Sequence, residues 1–159
     1  MSTSDPIAAD DWRSLIGTEI GVSPWVAIEQ PLIDDFARVT GDDQFIHVDP
    51  VRAKAESPYG GTVAHGFLTL ALLPVMARSV LPQTRGARAR INYGFDKVRF
   101  LAPVPAGARV RARFRLAQAD IRRPGELTLK YEVTVELEGG KEPAVVAEWL
   151  SRQVFAPQA

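Results

Sequence analysis

The chain has 159 residues, 46% apolar and 24% charged, and its nineteen basic and nineteen acidic side chains cancel. That length supports one domain with a real core, and the balanced charge sets up no global field toward nucleic acid or an anionic membrane. With no cysteine, disulfides, zinc–cysteine centres and thiol nucleophiles are excluded, and a reducing, cytoplasmic setting is expected.

The first residues, MSTSDPIAADDW, are acidic and lack an apolar h-region, so no signal peptide is expected. Residues 1–16 read as a loose arm with one helical turn at 12–16. Scattered β-formers over 17–29 predict a strand broken at Ser23-Pro24. Pro31 then suits a first helical position. Leu32, Ile33, Phe36, Ala37 and Val39 follow at helical spacing, and Gly41 supplies a left-handed stop. Residues 42–47 read as irregular chain. Asp49 as N-cap and Pro50 at the first position open a short helix to residue 56, which Ser57-Pro58-Tyr59-Gly60-Gly61 ends.

Residues 67–81 are apolar nearly all round, which predicts a helix buried on every side and kinked at Pro74. Thr69, Pro74, Arg78 and Ser79 interrupt the run, and it is too short for a membrane span. After Pro82 the period becomes two. A strand is predicted over 90–104 with a bulge near 94–97. A second has Val110, Ala112, Phe114 and Leu116 facing inward and Arg109, Arg111, Arg113 and Arg115 outward. A loop is expected at 122–125. A third strand alternates from Leu127 to Glu138, Gly139-Gly140 turns the chain, and residues 144–155 make the last.

An antiparallel sheet with one apolar face needs a cover, and 67–81 is the only element apolar enough. The expected class is α+β: a hotdog fold, a curled antiparallel sheet wrapped around a central buried helix. The arginines at 109–115 are expected to pair across strands with the glutamates at 132–138, each pair contributing about 0.2–1 kcal/mol. No aromatics interleave with them, so they do not read as a nucleic-acid stripe.

One stretch is less ordinary. The chain has two histidines, and GDDQFIH (41–47) places one of them five residues after Asp42. Taken singly, Asp42 is a turn residue past a helix stop and His47 a structural histidine. Ala64-His65-Gly66 stands at the start of the covering helix, whose first N–H groups lack intrahelical partners and can stabilise charge on a carbonyl oxygen. Gly66 lets a ligand approach the backbone. Together these residues form a candidate acid–base site. His65 reads as orienting the loop or capping the helix, Asp43 as a solvated turn, and Asp49 as a cap. Two histidines and an aspartate also match a facial metal triad in composition, but their spacing is not diagnostic, and no metal is expected.

FARVTGDDQFIHVDP (36–50) and GGTVAHGFLT (60–69) resemble the hydratase motif of MaoC-like (R)-specific enoyl-CoA hydratases. Within that group they resemble the branch that includes nodulation protein N, as does INYGFDKVRFLAPV (91–104). The resemblance runs from about residue 24 to 155. It implies a dimeric hotdog protein that adds water across a trans-2-enoyl thioester carried on CoA or acyl carrier protein, without a cofactor. It matches Asp42 to the family's catalytic aspartate, His47 to its histidine, and Gly66 to the glycine whose N–H holds the thioester carbonyl. Many members read Asn-Pro-Leu-His where this chain has Gln44-Phe45-Ile46-His47, so substrate preference does not transfer with the motif.

Asn92 and Tyr93 are candidates to line the pocket near the helix mouth, with a plain strand-and-bulge role as the alternative. Lys97 and Arg99 are read as solvated surface residues before ligand-phosphate contacts. The sequence leaves open which of Asp42 and His47 is base and which acid. It also leaves open two other functions for the fold, an acyl-CoA thioesterase and a non-catalytic acyl-thioester-binding module. The strand edges of a single hotdog need covering, so a homodimer is expected.

Overall fold

The structure is a computed structural model that describes residues 6–123 and 125–156, leaving the side chain of Arg122 undescribed. A 3-10 segment, Asp10–Leu15, comes first. It is followed by β1 (Glu19–Val22), β2 (Val26–Ala27), α1 (Gln30–Thr40), α2 (Phe45–Val48), α3 (Pro50–Glu56), α4 (Gly66–Ala71) and α5 (Leu73–Arg78). Then come β3 (Ala87–Phe100), β4 (Arg109–Arg123), β5 (Glu126–Leu137) and β6 (Val145–Phe155). All strand pairs are antiparallel, in the order β1-β4-β5-β6-β3, with β2 also on β4.

Local chemistry sets the elements near the site. Pro31 stands in the first turn of α1, and Gly41 ends that helix at φ 76° with its N–H on the Ala37 carbonyl; a side chain there would be strained. The Asp49 carboxylate caps α3 by accepting from the Arg52 N–H at 2.9 Å, worth about 1 kcal/mol. The break between β1 and β2 holds its register because the Ala112 N–H donates to Ser23 Oγ at 2.9 Å.

The inward faces of β4, β5 and β6 follow the alternation read from sequence. Val110, Ala112, Phe114 and Leu116 are fully buried. Phe114, Tyr131 and Trp149 form an aromatic cluster with centroids 5.9–6.3 Å apart. On the outer face Arg109 pairs with Glu138, Arg111 with Glu136, Arg113 with Glu19 and Glu136, and Arg115 with Glu132.

Several expectations are corrected. The 1–16 segment is not a loose arm where it is described: Trp12 is fully buried in the core, and its Nε1 donates to Thr84 Oγ1 at 2.9 Å. Residues 1–5 of that expectation lie outside the described residues, as does Pro124 of the predicted 122–125 loop. Residues 45–48 are one helical turn, α2, with His47 inside it. The central helix is divided into α4 and α5 around Leu72, because Pro74 has no N–H to donate back to Leu70. Nor is it buried all round: Leu68, Leu73, Met76 and Ala77 face the sheet, while Phe67 is 66% and Val75 47% exposed. Strand β3 starts earlier and ends earlier than predicted. Beyond Phe100 the chain turns to the site loop, where the Ala64 N–H donates to the Val104 carbonyl at 2.8 Å. The predicted bulge is present, with register shifts between Asn92 and Gly94 and between Phe95 and Lys97.

Candidate active site

The site forms where α1, α2, the 62–65 loop and α4 meet. Gly41 releases the chain from α1, so Asp42 lies exposed just before α2. His47 is buried. Its Nδ1 lies 2.6 Å from the Val63 carbonyl. A carbonyl only accepts, so the Nδ1 proton points there and the neutral ring keeps its lone pair on Nε2. His65, also buried, places Nε2 2.8 Å from the Asp42 main-chain oxygen, so by the same reasoning its proton is on Nε2. The two imidazoles stack with centroids 3.8 Å apart and planes 25° from parallel, and Phe36 lies against His65 at 5.0 Å.

The loop is held by main-chain bonds as well. The Val63 N–H donates to the Ile46 carbonyl at 2.9 Å, and the Ala106 N–H donates to the Thr62 carbonyl at 2.9 Å. Gln30 ties three elements together. Its amide nitrogen donates to the His47 carbonyl at 2.7 Å, and its oxygen accepts from Thr62 Oγ1 at 2.5 Å. Sequence reading did not single out Gln30. A glutamine opening a helix carries no local signal that it will bridge to residues 47 and 62.

A carboxylate oxygen of Asp42, a ring nitrogen of His47 and a ring nitrogen of His65 all lie within 4.8 Å of one another. The rings are stacked, so their in-plane lone pairs lie in two separate, nearly parallel planes instead of converging on one point. Each ring also spends one nitrogen on a carbonyl. This geometry suits an acid–base pair backed by a second imidazole, and it is poor for a metal cage.

A cavity of about 290 Å³ opens beside the pair, with His47, Tyr59, Gly66, Thr69, Phe100 and Leu101 in its wall. Gly66 is the first residue of α4, so its N–H has no acceptor inside the helix. A Cβ added to Gly66 would fall 2.7 Å from Cδ1 of Phe100. Only glycine fits under that ring, and Phe100 is the second residue that sequence reading missed. Asn92 and Tyr93 are not brought to this cavity within the chain. Asn92 lines a different cavity, and Tyr93 is exposed beneath the Arg152 guanidinium, 3.6 Å from its ring centroid. Lys97 and Arg99 are exposed strand residues.

An antiparallel sheet curled around a broken helix, with an aspartate–histidine pair at the helix mouth, defines the hotdog dehydratase class. The chain matches the family described as MaoC like domain over residues 11–137. It is 51% identical over 152 residues to nodulation protein N of Rhizobium meliloti (strain 1021), covering 96% of this chain and 94% of that protein. It is 46% identical over 154 residues to 3-hydroxyacyl-thioester dehydratase Z of Mycobacterium tuberculosis (strain ATCC 25618 / H37Rv), covering 97% and 99%. Among solved structures, the (R)-hydratase from A. caviae involved in PHA biosynthesis shares the fold at TM-score 0.67 and 22% identity, over 86% of this chain and 94% of that one. An Archaeoglobus monoamine oxidase regulatory protein shares it at TM-score 0.79 and 22% identity, over 99% and 100%. The chain belongs to the MaoC-like dehydratase family.

Proposed function

We propose that the chain is a hydro-lyase that interconverts trans-2-enoyl thioesters and (R)-3-hydroxyacyl thioesters. The observation that carries this reading is the approach of the Asp42 carboxylate to a His47 ring nitrogen beside a cavity walled by His47 and Gly66. The 3-hydroxyacyl-thioester dehydratase relative, matched nearly end to end, supports it.

In the hydration direction, Asp42 and Nε2 of His47 hold one water. Its O–H bond breaks, the oxygen bonds to the β-carbon, and the alkene electron pair moves toward the thioester carbonyl. The developing negative charge falls on the carbonyl oxygen, where the Gly66 N–H donates to it; one such donor is worth about 2.7–4 kcal/mol. A proton then reaches the α-carbon, so the elements of one water are added. Asp42 and His47 share the proton traffic. The Val63 carbonyl fixes the His47 tautomer, and His65 fixes the backbone that carries Asp42. Positioned acid–base groups supply about 10²–10⁴-fold.

The reading includes a homodimer in cytoplasmic acyl metabolism. Strand β3, fourteen residues long, pairs with β6 on one side and has no strand on its other edge among the described residues. Ile91, Tyr93 and Phe95 are exposed along it at 45%, 54% and 37%. A long apolar edge of this kind is expected to be paired; a monomeric mass in solution would contradict the dimer.

The test of function follows loss of the conjugated enoyl-thioester absorbance with crotonyl-CoA and assays free thiol in parallel. Formation of the (R)-3-hydroxyacyl thioester with no thiol released is expected. Thiol release would make the chain a thioesterase, and binding without turnover would make it a non-catalytic module.

A further inference from the structure

The opposite end of the α4–α5 pair carries a second cavity, of about 440 Å³, between α5 and the first half of β3. Pro74, Leu81 and Trp149 supply apolar lining, and Arg78, Arg88 and Arg90 line the same cavity. Core-facing positions of a sheet rarely carry arginine unless something answers the charge. Arg90 lies opposite Gln153 in the β3–β6 register, and Asn92 lies opposite Ser151. Opposed residues share a sheet face. Gln153 and Ser151 are each 1% exposed, so this polar row points inward.

Polar groups on this inward sheet face lack partners. Gln153 Nε2, Ser151 Oγ and the Tyr131 hydroxyl are buried without a hydrogen bond among the described residues. Arg78, Arg88 and Arg90 have no carboxylate within ion-pair distance among the described residues. Arg90 is positioned by one bond, Nη2 to the Pro82 carbonyl at 3.0 Å. Its charge reaches the buried phenol: burial pushes the Tyr131 pKa well up, and Arg90 opposes that shift. The Gln153 amide and three guanidiniums without a carboxylate line one cavity, and they match a ligand that accepts hydrogen bonds and bears negative charge.

We propose that this cavity is an oxyanion-binding site, taking a phosphate or carboxylate whose apolar body lies on Pro74, Leu81 and Trp149. Arg88 and Arg90 supply the charge, and the Gln153 amide supplies a neutral donor in the wall. The site is separate from the Asp42–His47 pair and does not rest on the hydration reading.

The test titrates the full-length chain with inorganic pyrophosphate and, separately, with glutarate, following the Gln153 side-chain amide by NMR. A saturable shift is expected, with affinity about tenfold weaker in Arg90→Gln and in Arg88→Gln, as for loss of a charge-assisted contact. Arg88 is exposed, so its variant keeps the test valid if Arg90→Gln fails to fold. Arg109→Gln removes the same charge from the outer face and should leave binding unchanged. Tighter binding of pyrophosphate assigns a phosphorylated ligand, and tighter binding of glutarate a carboxylate one; either supports the site. No saturable shift with either anion, or equal weakening by Arg109→Gln, overturns it.

Discussion

The two ends of the α4–α5 pair both bring polar side chains against the core, and they satisfy them differently. At the α4 mouth, Gln30, Thr62, Val63, His65 and the Asp42 main chain bond one another. His65 Nδ1 and Thr69 Oγ1 are the buried atoms left without a bond there among the described residues, and what remains for chemistry is Nε2 of His47, the Asp42 carboxylate and a first-turn N–H. At the α5 end, three buried groups have no hydrogen-bond partner and three arginines have no carboxylate partner among the described residues. A catalytic site needs its groups held before substrate arrives. The α5 end, by contrast, has donors and charge whose partners lie outside the chain. The outer arginine row is the control, because there every arginine from 109 to 115 meets a glutamate.

Substitutions can break this contrast, and the largest effect belongs to the held site. His47→Gln removes the ring and its Nε2, and hydration should fall by about a hundredfold or more while circular dichroism stays unchanged. An unchanged rate would remove His47 from the chemistry. Gly66→Ala forces a methyl onto the Phe100 ring. Overpacking of this kind costs about 1–3 kcal/mol, readable as a lower urea midpoint. Phe100→Ala in the same chain should recover most of the loss, and no recovery would show that the clash is not the cause. Gln30→Ala cuts the bonds to His47 and Thr62, each worth about 0.5–1.5 kcal/mol. Denaturation should show that loss, and kcat should fall more than KM rises, because the variant misplaces His47 without removing it.

The smallest effects belong to the outer row. Arg109→Ala should change stability by less than about 1 kcal/mol, as is usual for exposed pairs. Glu136 adds a pH signature. The Arg111 hydrogen bond, aided by Arg113, holds its carboxyl below the ordinary value of 4.5. The group therefore binds its proton more readily in the unfolded chain. Its stabilising contribution is complete above pH 4.5 and disappears as pH falls through the lower folded value. Glu136→Gln should flatten that part of the acid limb in a stability–pH curve, and an unchanged limb would assign the acid sensitivity to other carboxylates.

Much of this was legible in the sequence because local rules were obeyed. Pro31 and Gly41 bound α1, Asp49 caps α3, and the alternation from Val110 to Leu137 gives both the core face and the arginine–glutamate ladder. Asp42, His47 and Gly66 were legible as a set because motif and spacing agree. What escaped reading depends on contacts between distant residues. Trp12 reads as part of an arm until Thr84, seventy-two positions away, accepts its N–H. Gln30 becomes a brace only when α2 and the 62–65 loop close on it. Arg88 and Arg90 look like any exposed strand charges until the bulge at Asn92–Gly94 and the pairing with β6 decide their face. The same bulged strand carries Asn92 and Tyr93 away from the α4 mouth.

The most direct measurement is a double-mutant cycle on enoyl-thioester hydration with Asp42→Asn, His47→Gln and the pair combined, all confirmed folded. If the two side chains handle one water as a unit, each single variant loses about a hundredfold or more and the double variant falls little further than the worse single. If the two losses multiply, or either single stays within a few-fold of wild type, Asp42 and His47 do not act as a pair and the account of the site fails.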